Sequence, residues 1–283
     1  MGSKSQQTKQ PQPPGVSMYT FYLVLPFRPI FYIESDCDKL IAKLVLQYGI
    51  YAKEHIDISA DISFSILRKE QGYIFSYPNG NHYTETPLLD IGRYISQKTT
   101  LKDEILALHG AALEYNGQAY VFLAPTTTGK TTLTSYLSSL GFGYITDDCV
   151  IIDRNDFKVY PYNTPIHLRD GGTEVLKKLG ILPSSIKTVE EGTFSRRHVY
   201  TPLNIVSEAI PLKRIYFIER NDSENKLTSM TTTERATELM KSPITPYEIT
   251  ADYIKLIMRL SKIDCQRLIY KDMSFVKEMI ELG

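Results

Sequence analysis

Apolar and polar positions divide the chain into stretches of different texture. Residues 1–17 (MGSKSQQTKQPQPPGVS) have scarcely an apolar side chain. A segment that buries so little cannot offset the entropy of ordering, so a disordered tail is expected there. From Met18 the run YTFYLVL, rich in aromatic and β-branched residues, predicts a strand, and FYI after Pro29 predicts a second. Leu40, Ile41, Leu44, Val45 and Tyr48 then recur at helical spacing, so a helix is predicted over 38–48 with Asp36 or Asp38 as its N-cap. Alternation through Ile62–Leu67 and Tyr73–Tyr77, with Gly80-Asn81-His82 at the tip of a following turn, predicts a small antiparallel sheet. Residues 18–100 thus read as a small, β-rich α+β domain without candidate chemistry.

The texture shifts after Thr100, and residues 101–283 read as a second, α/β domain. His109 is expected to begin a strand that ends at Asn116-Gly117, the strongest short hairpin signal, and returns as Gln118-Ala-Tyr-Val-Phe-Leu. The returning strand enters a Thr-rich loop. Beyond it Leu133, Tyr136, Leu137 and Leu140 keep helical spacing as far as Gly141. Tyr144–Asp153 reads as a strand pair interrupted by Asp147-Asp148, with Arg154-Asn155-Asp156 as the next turn. Arg214–Arg220 predicts another strand, and Thr233–Met240, Tyr253–Leu260 and Phe275–Ile280 predict helices.

Composition narrows the function classes. The 283 residues carry 32 Lys+Arg against 32 Asp+Glu, so no global field draws the chain toward nucleic acid or an anionic membrane. Any anion affinity has to be local. Cys37, Cys149 and Cys265 lie far apart and match no metal-ligand spacing, which fits a reducing compartment. No apolar run approaches a membrane span, no signal peptide is recognisable, and Gln6 stands where myristoylation requires Ser or Thr. A cytoplasmic protein is expected, and a homo-oligomer is compatible with this composition.

The loop carries the candidate chemistry. Ala124-Pro125-Thr126-Thr127-Thr128-Gly129-Lys130-Thr131 matches the phosphate-binding pattern G-x-x-x-x-G-K-[ST] except that Ala124 replaces the first glycine. A strand precedes the loop and a helix follows it, the arrangement that turns successive backbone N–H groups toward an anion at a helix N-terminus. In that reading Lys130 reaches the β- and γ-phosphates of ATP, Thr131 ligates Mg2+ and Thr132 touches the α-phosphate. The alternative is a Thr-rich turn that merely caps a helix.

Asp147-Asp148 follows Lys130 by seventeen residues, enough for a helix and a return strand. Phosphoryl transfer to a hydroxyl uses one carboxylate to hold magnesium and another to accept the proton, and an adjacent pair beside such a loop suits both tasks. His109 is as compatible with a structural role as with a catalytic one. Arg196-Arg197 sit in a polar stretch read as a mobile loop, either closing over phosphate or simply solvated. Arg220, at a strand end, is a candidate contact for the γ-phosphate.

From LHGAAL through VFLAPTTTGKTTL to GFGYITDDCVIID, and more loosely through VYPYNTPIHL, PLKRIYFIER and CQRLIYKDM, the chain resembles the HPr kinase/phosphorylase family, whose nucleotide core is similar to that of phosphoenolpyruvate carboxykinase. The resemblance implies a P-loop core of that type, ATP and Mg2+, Asp147 as the base that deprotonates an acceptor serine, Asp148 supporting magnesium, and His109 near the reacting phosphate. Ala124 and Thr127 stand where members often carry glycine. The N-terminal region does not resemble the family's regulatory domain, and the long glycine- and arginine-containing segment linked to phosphorylase activity is not found. The nearer resemblance is to stand-alone relatives similar to lasso-peptide precursor kinases. A kinase acting on a peptide, protein or small-molecule hydroxyl is the leading expectation; a non-catalytic nucleotide-binding adaptor and a carboxykinase-like enzyme are the alternatives.

Overall fold

The computed structural model describes residues 17–100, 102–191, 195–244 and 248–283; the expected tail lies outside them except for Ser17. The elements run β1 (Tyr19–Leu23), β2 (Phe31–Ser35), α1 (Asp38–Tyr48), β3 (Ala52–Lys53), β4 (Ile62–Arg68), β5 (Tyr73–Tyr77), β6 (Gly80–Thr84), α2 (Pro87–Thr100), β7 (Ile105–Tyr115), β8 (Gln118–Leu123) and α3 (Lys130–Ser139). They continue as β9 (Gly143–Thr146), β10 (Cys149–Asp153), β11 (Lys158–Tyr160), β12 (Ile166–Leu168), α4 (Asp170–Lys178), β13 (Lys187–Glu191), β14 (Ser195–Tyr200), β15 (Ile210–Arg220), β16 (Lys226–Ser229), α5 (Thr232–Met240), α6 (Ala251–Leu260), β17 (Asp264–Tyr270) and α7 (Met273–Glu281). The fold is mixed α/β with several sheets.

The first sheet has the order β3-β1-β2-β4-β5-β6. β4, β5 and β6 form the expected antiparallel ladder, but β4 runs parallel to β2. Gly80-Asn81-His82 is part of β6 and not a turn tip, because Gly80 already pairs with Tyr77. Alternate residues Phe21, Leu23, Phe31, Ile33, Phe64, Ile66 and Phe75 bury one face under Leu40, Ile41 and Leu44 of α1 and Ile91 and Ile95 of α2. This is the half-buried pattern usual where most strand pairs are antiparallel. The N-cap of α1 is Cys37, with no side-chain cap bond; the Asp36 carboxylate instead accepts the Arg68 amide at 2.8 Å. Helix α2 has no counterpart in the sequence reading. It starts on Pro87, whose fixed φ suits a first helical turn, and its apolar stripe is interrupted by Gly92.

The second sheet follows the path β11-β10-β7-β8-β15-β17-β16, with β9 beside β7 and β11 also reaching β15. β15 runs parallel to both β8 and β17, so these three strands end on one edge at Leu123, Arg220 and Tyr270. Both faces are covered. Val121, Leu123, Ile215 and Phe217 pack with Leu239, Leu256 and Ile257 of α5 and α6, whereas Tyr120, Phe122, Tyr216 and Ile218 pack with Leu133 and Leu137 of α3, Leu176 of α4 and Val276 of α7. The near-continuous apolar run of β8 reflects burial from both sides. Asn116 at φ 51° and Gly117 at φ 74° make the turn between β7 and β8, in the left-handed conformation their types favour.

His109 does not begin its strand: β7 starts at Ile105, and His109 is mid-strand, facing Cys149 of β10. A third sheet, β12-β14-β13, holds Arg196 and Arg197 in β14, so this part of the stretch read as a loop is strand, while residues 192–194 lie outside the described residues. Its register sets residue 190 opposite residue 196 and 189 opposite 197. The first sheet meets the rest through Tyr51. Its hydroxyl accepts the Asn163 amide at 2.7 Å, while Asn163 Nδ2 donates to the carbonyls of Tyr144 and Ile145 at 3.0 Å each. No helix among the described residues is long and apolar enough to cross a membrane.

Gly110 is where β7 passes from β10 to β8. A Cβ there would lie 2.6 Å from Leu123 Cδ2 and 2.7 Å from the Phe122 carbonyl oxygen, and the backbone atom cannot yield without parting the ladder. Gly110→Ala is therefore expected to destabilise the protein by about 1–3 kcal/mol through overpacking, read as a melting temperature several degrees lower.

Candidate nucleotide site

The loop 124–129 leaves the carboxyl end of β8, the first of the three parallel strands β8-β15-β17, on the edge where open α/β sheets bind ligands. Thr127 at φ 74° and Gly129 at φ 92° take left-handed conformations, whereas Ala124 does not. The alanine at the first glycine position therefore meets no conformational obstacle. The unusual position is Thr127, a β-branched residue in a region its type rarely visits, and such strain is held where the surroundings over-determine it. Gly129 lies close to the Tyr270 hydroxyl, 3.2 Å from where a Cβ would stand. Thr128 Oγ1 donates to the Pro125 carbonyl at 2.7 Å and closes the loop on itself.

Lys130 opens α3 and is buried, with 7% of its surface exposed. Its ammonium donates to the carbonyls of Ala124 at 2.7 Å and Pro125 at 3.0 Å, so the lysine lies back across its own loop. Burial lowers its pKa, opposed by the charges of Asp147 and Asp148. Behind it Thr134 and Ser135 donate to the carbonyls of Lys130 and Thr131 at 2.9 and 2.8 Å.

Asp147 and Asp148 join β9 to β10, two segments that lie along the same strand β7. They are in different environments. Burial pushes the Asp147 carboxyl up to about 7; the neighbouring hydroxyls of Thr131 and Thr134 and the charge of Lys130 pull it down, and Asp148 adds to the rise. Asp147 Oδ1 is buried with no hydrogen-bond partner. Asp148, by contrast, has 78% of its side chain open to the cleft and pairs with His109 Nδ1 at 3.2 Å. The hydrogen bond from His109 is the main cause that holds the Asp148 carboxyl below the ordinary range.

These groups face one cleft of about 1750 Å3, which also takes in Thr126, Thr127, Thr131, Thr132 and Arg220. All the residue types expected to handle phosphate thus converge except Ala124, Pro125 and Thr128. Ala124 and Pro125 contribute carbonyls to Lys130, and Thr128 braces the loop. Residues the sequence reading passed over join them. Gly172 approaches Thr132, with 2.8 Å between a notional Cβ and Thr132 Oγ1; His167 and Arg169 line the cleft; Tyr270 backs the loop. Only Gly-Gly at 171–172 could have drawn notice. The position of Tyr270 depends on strand order, which no local pattern contains.

Asp147, Asp148 and the Thr131 hydroxyl supply hard oxygen donors, and the orphaned Asp147 oxygen lacks the partner a buried carboxylate needs, so the site suits a small divalent cation. Among the described residues no three His, Cys, Asp or Glu side chains cluster as a complete metal cage. A cation here would complete its shell with water and phosphate oxygens, as Mg2+ commonly does. The three cysteines are buried and free.

No protein-family model and no curated protein sequence matches the chain. Among solved structures it is similar to the HPr(Ser) kinase/phosphatase from Coxiella burnetii, at 11% sequence identity and a TM-score of 0.31, covering 62% of this chain and 99% of that one.

The Asp147 environment has a measurable consequence. A carboxyl at about 7 when folded and near 3.8 when unfolded binds a proton in the folded state that the unfolded chain releases. That contribution to stability is fully present below the unfolded value and is lost as pH rises through 7. Asp147→Asn, neutral throughout, is expected to be the more stable protein at pH 8 by up to about 4 kcal/mol, the difference vanishing toward pH 4. Melting curves across that range in the presence of a chelator check it.

Proposed function

We propose that the chain is an ATP/Mg2+-dependent kinase that transfers the γ-phosphoryl group to a serine-type hydroxyl of a peptide, protein or small molecule. The observation that carries this reading is the convergence on one cleft of Lys130, at the start of α3, and Asp147, a carboxyl raised to about 7 with a buried oxygen that has no partner. A carboxylate poised near neutral pH suits proton acceptance from a hydroxyl.

In this mechanism the loop amides and Lys130 hold the β- and γ-phosphates, and Arg220 meets the γ-phosphate from the neighbouring strand end. Lys130 leaves the Ala124 and Pro125 carbonyls to do so. Thr131 and Asp148 would hold the cation, which when bound offsets charge on the β- and γ-phosphate oxygens. Thr131 can donate its proton toward Asp147 while its lone pairs remain available, the kind of arrangement that orients a metal-bound hydroxyl. Asp147 takes the proton of the acceptor hydroxyl as its oxygen bonds to the γ-phosphorus. The bond from that phosphorus to the bridging oxygen breaks, and its electron pair leaves on ADP. His109 fixes the Asp148 carboxylate, which stays ionised throughout, while Asp147 is the group that gains the proton.

Incubation with γ-labelled ATP, Mg2+ and lysate of the source organism tests the reading and identifies the acceptor. Lys130→Ala is expected to lose nearly all turnover. Asp147→Asn is expected to lower transfer by about 100-fold or more while nucleotide affinity changes little, since general-base contributions are typically of that size. Equal loss of binding and transfer in Asp147→Asn would remove the base role; nucleotide binding with no labelled product would favour the adaptor.

A further inference from the structure

The cleft is larger than a nucleotide needs. Small-molecule sites commonly enclose about 300–1000 Å3, whereas this one has about 1750 Å3, and its second wall comes from the first sheet and its helices. That wall is basic. Lys39 and Lys43 lie four residues apart on α1, Arg68 ends β4 and Arg93 lies on α2; Asp38 and Glu85 are the acidic groups beside them. Around the whole cleft, eight Lys and Arg face four Asp and Glu, on a chain whose total charge is zero.

Among the described residues, no salt bridge engages Lys39, Lys43 or Arg68. Arg93 is 3.7 Å from Asp90, which also faces His82 at 3.5 Å. Asp38 accepts the backbone amide of Lys39 at 2.7 Å. The four cations come from three separate elements, α1, β4 and α2, and Lys39 and Lys43 lie about 6 Å apart along their helix axis. Leu89, 51% exposed, adds an apolar contact on the same wall. Spread positive charge with an apolar foothold fits a ligand whose negative charges are strung along a length of chain.

We propose that the wall made by α1, α2 and the end of β4 docks an extended acidic peptide segment, which presents the acceptor hydroxyl to the loop side of the cleft. The presentation of an acceptor rests on the kinase reading; the docking does not. Arg68, on the strand end, and Arg93, on the second helix, bracket the segment, while Lys39 and Lys43 engage its middle.

The test uses the full chain and a fluorescein-labelled peptide of Asp and Glu residues with one central Ser, followed by anisotropy at low and high salt. Binding at low salt is expected, weakening with added salt, and Lys39→Glu/Lys43→Glu is expected to weaken it by about tenfold or more. Lys39→Gln/Lys43→Gln should show a smaller loss in the same direction, which guards against misfolding of the reversed variant. Nucleotide affinity should be unchanged in both variants. A peptide with Gln in place of the acids should bind far more weakly.

Equal affinity for the acidic and Gln peptides, unchanged binding in the Lys39/Lys43 variants, or loss of nucleotide affinity in those variants would overturn the proposal. So would full competition by a sugar phosphate, which would mark a small-anion pocket. Peptide binding that persists without label reaching the serine would leave the docking site standing and count against the kinase reading alone.

Discussion

One strand with three partners governs this structure. Over Ile105–His109, β7 pairs with β10; from Gly110 it pairs with β8 on its other side; and from Ala112 it pairs with β9. Segments β9 and β10 are in effect one strand laid along β7 and interrupted. From Ala112 to His109 is three residues, as is the interval from Thr146 to Cys149, so the ladder resumes in register after the break. Asp147 and Asp148 fall in that break, opposite the glycine and alanine at 110 and 111. The Asp148 carbonyl still accepts the Gly110 amide at 3.3 Å, which holds the pair against β7 while the carboxyl groups turn into the cleft. A slip of one residue in this register would exchange the faces of the strand and carry His109 away from Asp148.

The same register explains why two adjacent aspartates behave differently. Asp147 is held against α3, where removal from water dominates and the Thr131 and Thr134 hydroxyls only partly compensate. Asp148 is open to the cleft and has an imidazole within 3.2 Å. Neutrality of the whole chain conceals this separation. Positive charge gathers around the cleft, and the buried Asp147 carboxyl lies on its floor. The arrangement opposes stability above neutral pH, because a carboxylate confined this way has lost more hydration than its neighbours return.

Much of this was legible in the sequence, and the exceptions have physical causes. The strand, Thr-rich loop and helix around Lys130 follow local rules: two-sided apolar burial, a glycine in the left-handed region and helical spacing afterwards. The hairpin at Asn116-Gly117 follows from turn chemistry alone. What escaped depends on partners distant in sequence. Helix α2 packs Ile91 and Ile95 into the core of the first sheet and sets Tyr94 against Phe64 and Phe75, and a stripe interrupted by Gly92 gives little warning of it. The strand containing Arg196 and Arg197 exists because β13 lies beside it. Tyr270 reaches the loop only because β17 is inserted between β15 and β16. Lys39 and Lys43 lie in a region without candidate chemistry in its sequence, and they reach the cleft only once the first sheet is folded against it.

In the proposed function, the bonding of Lys130 bears on how the site would respond to phosphate. Its ammonium directs two of its donors to the Ala124 and Pro125 carbonyls, neutral acceptors on its own loop. Those bonds satisfy a buried charge without an anion present, so the loop can keep its shape despite the left-handed Thr127. Exchange for phosphate oxygens replaces neutral acceptors by charged ones, and charge-assisted bonds are roughly twice as strong. In that reading the loop carbonyls are a placeholder: strong enough to keep the lysine from being an unpaired buried cation, weak enough to yield. Ala124 serves in this as well as glycine would, because what the position contributes is a carbonyl and not a positive φ. The departure from the usual pattern therefore leaves the lysine's hydrogen bonding intact, and the conformational burden passes to Thr127 and Gly129.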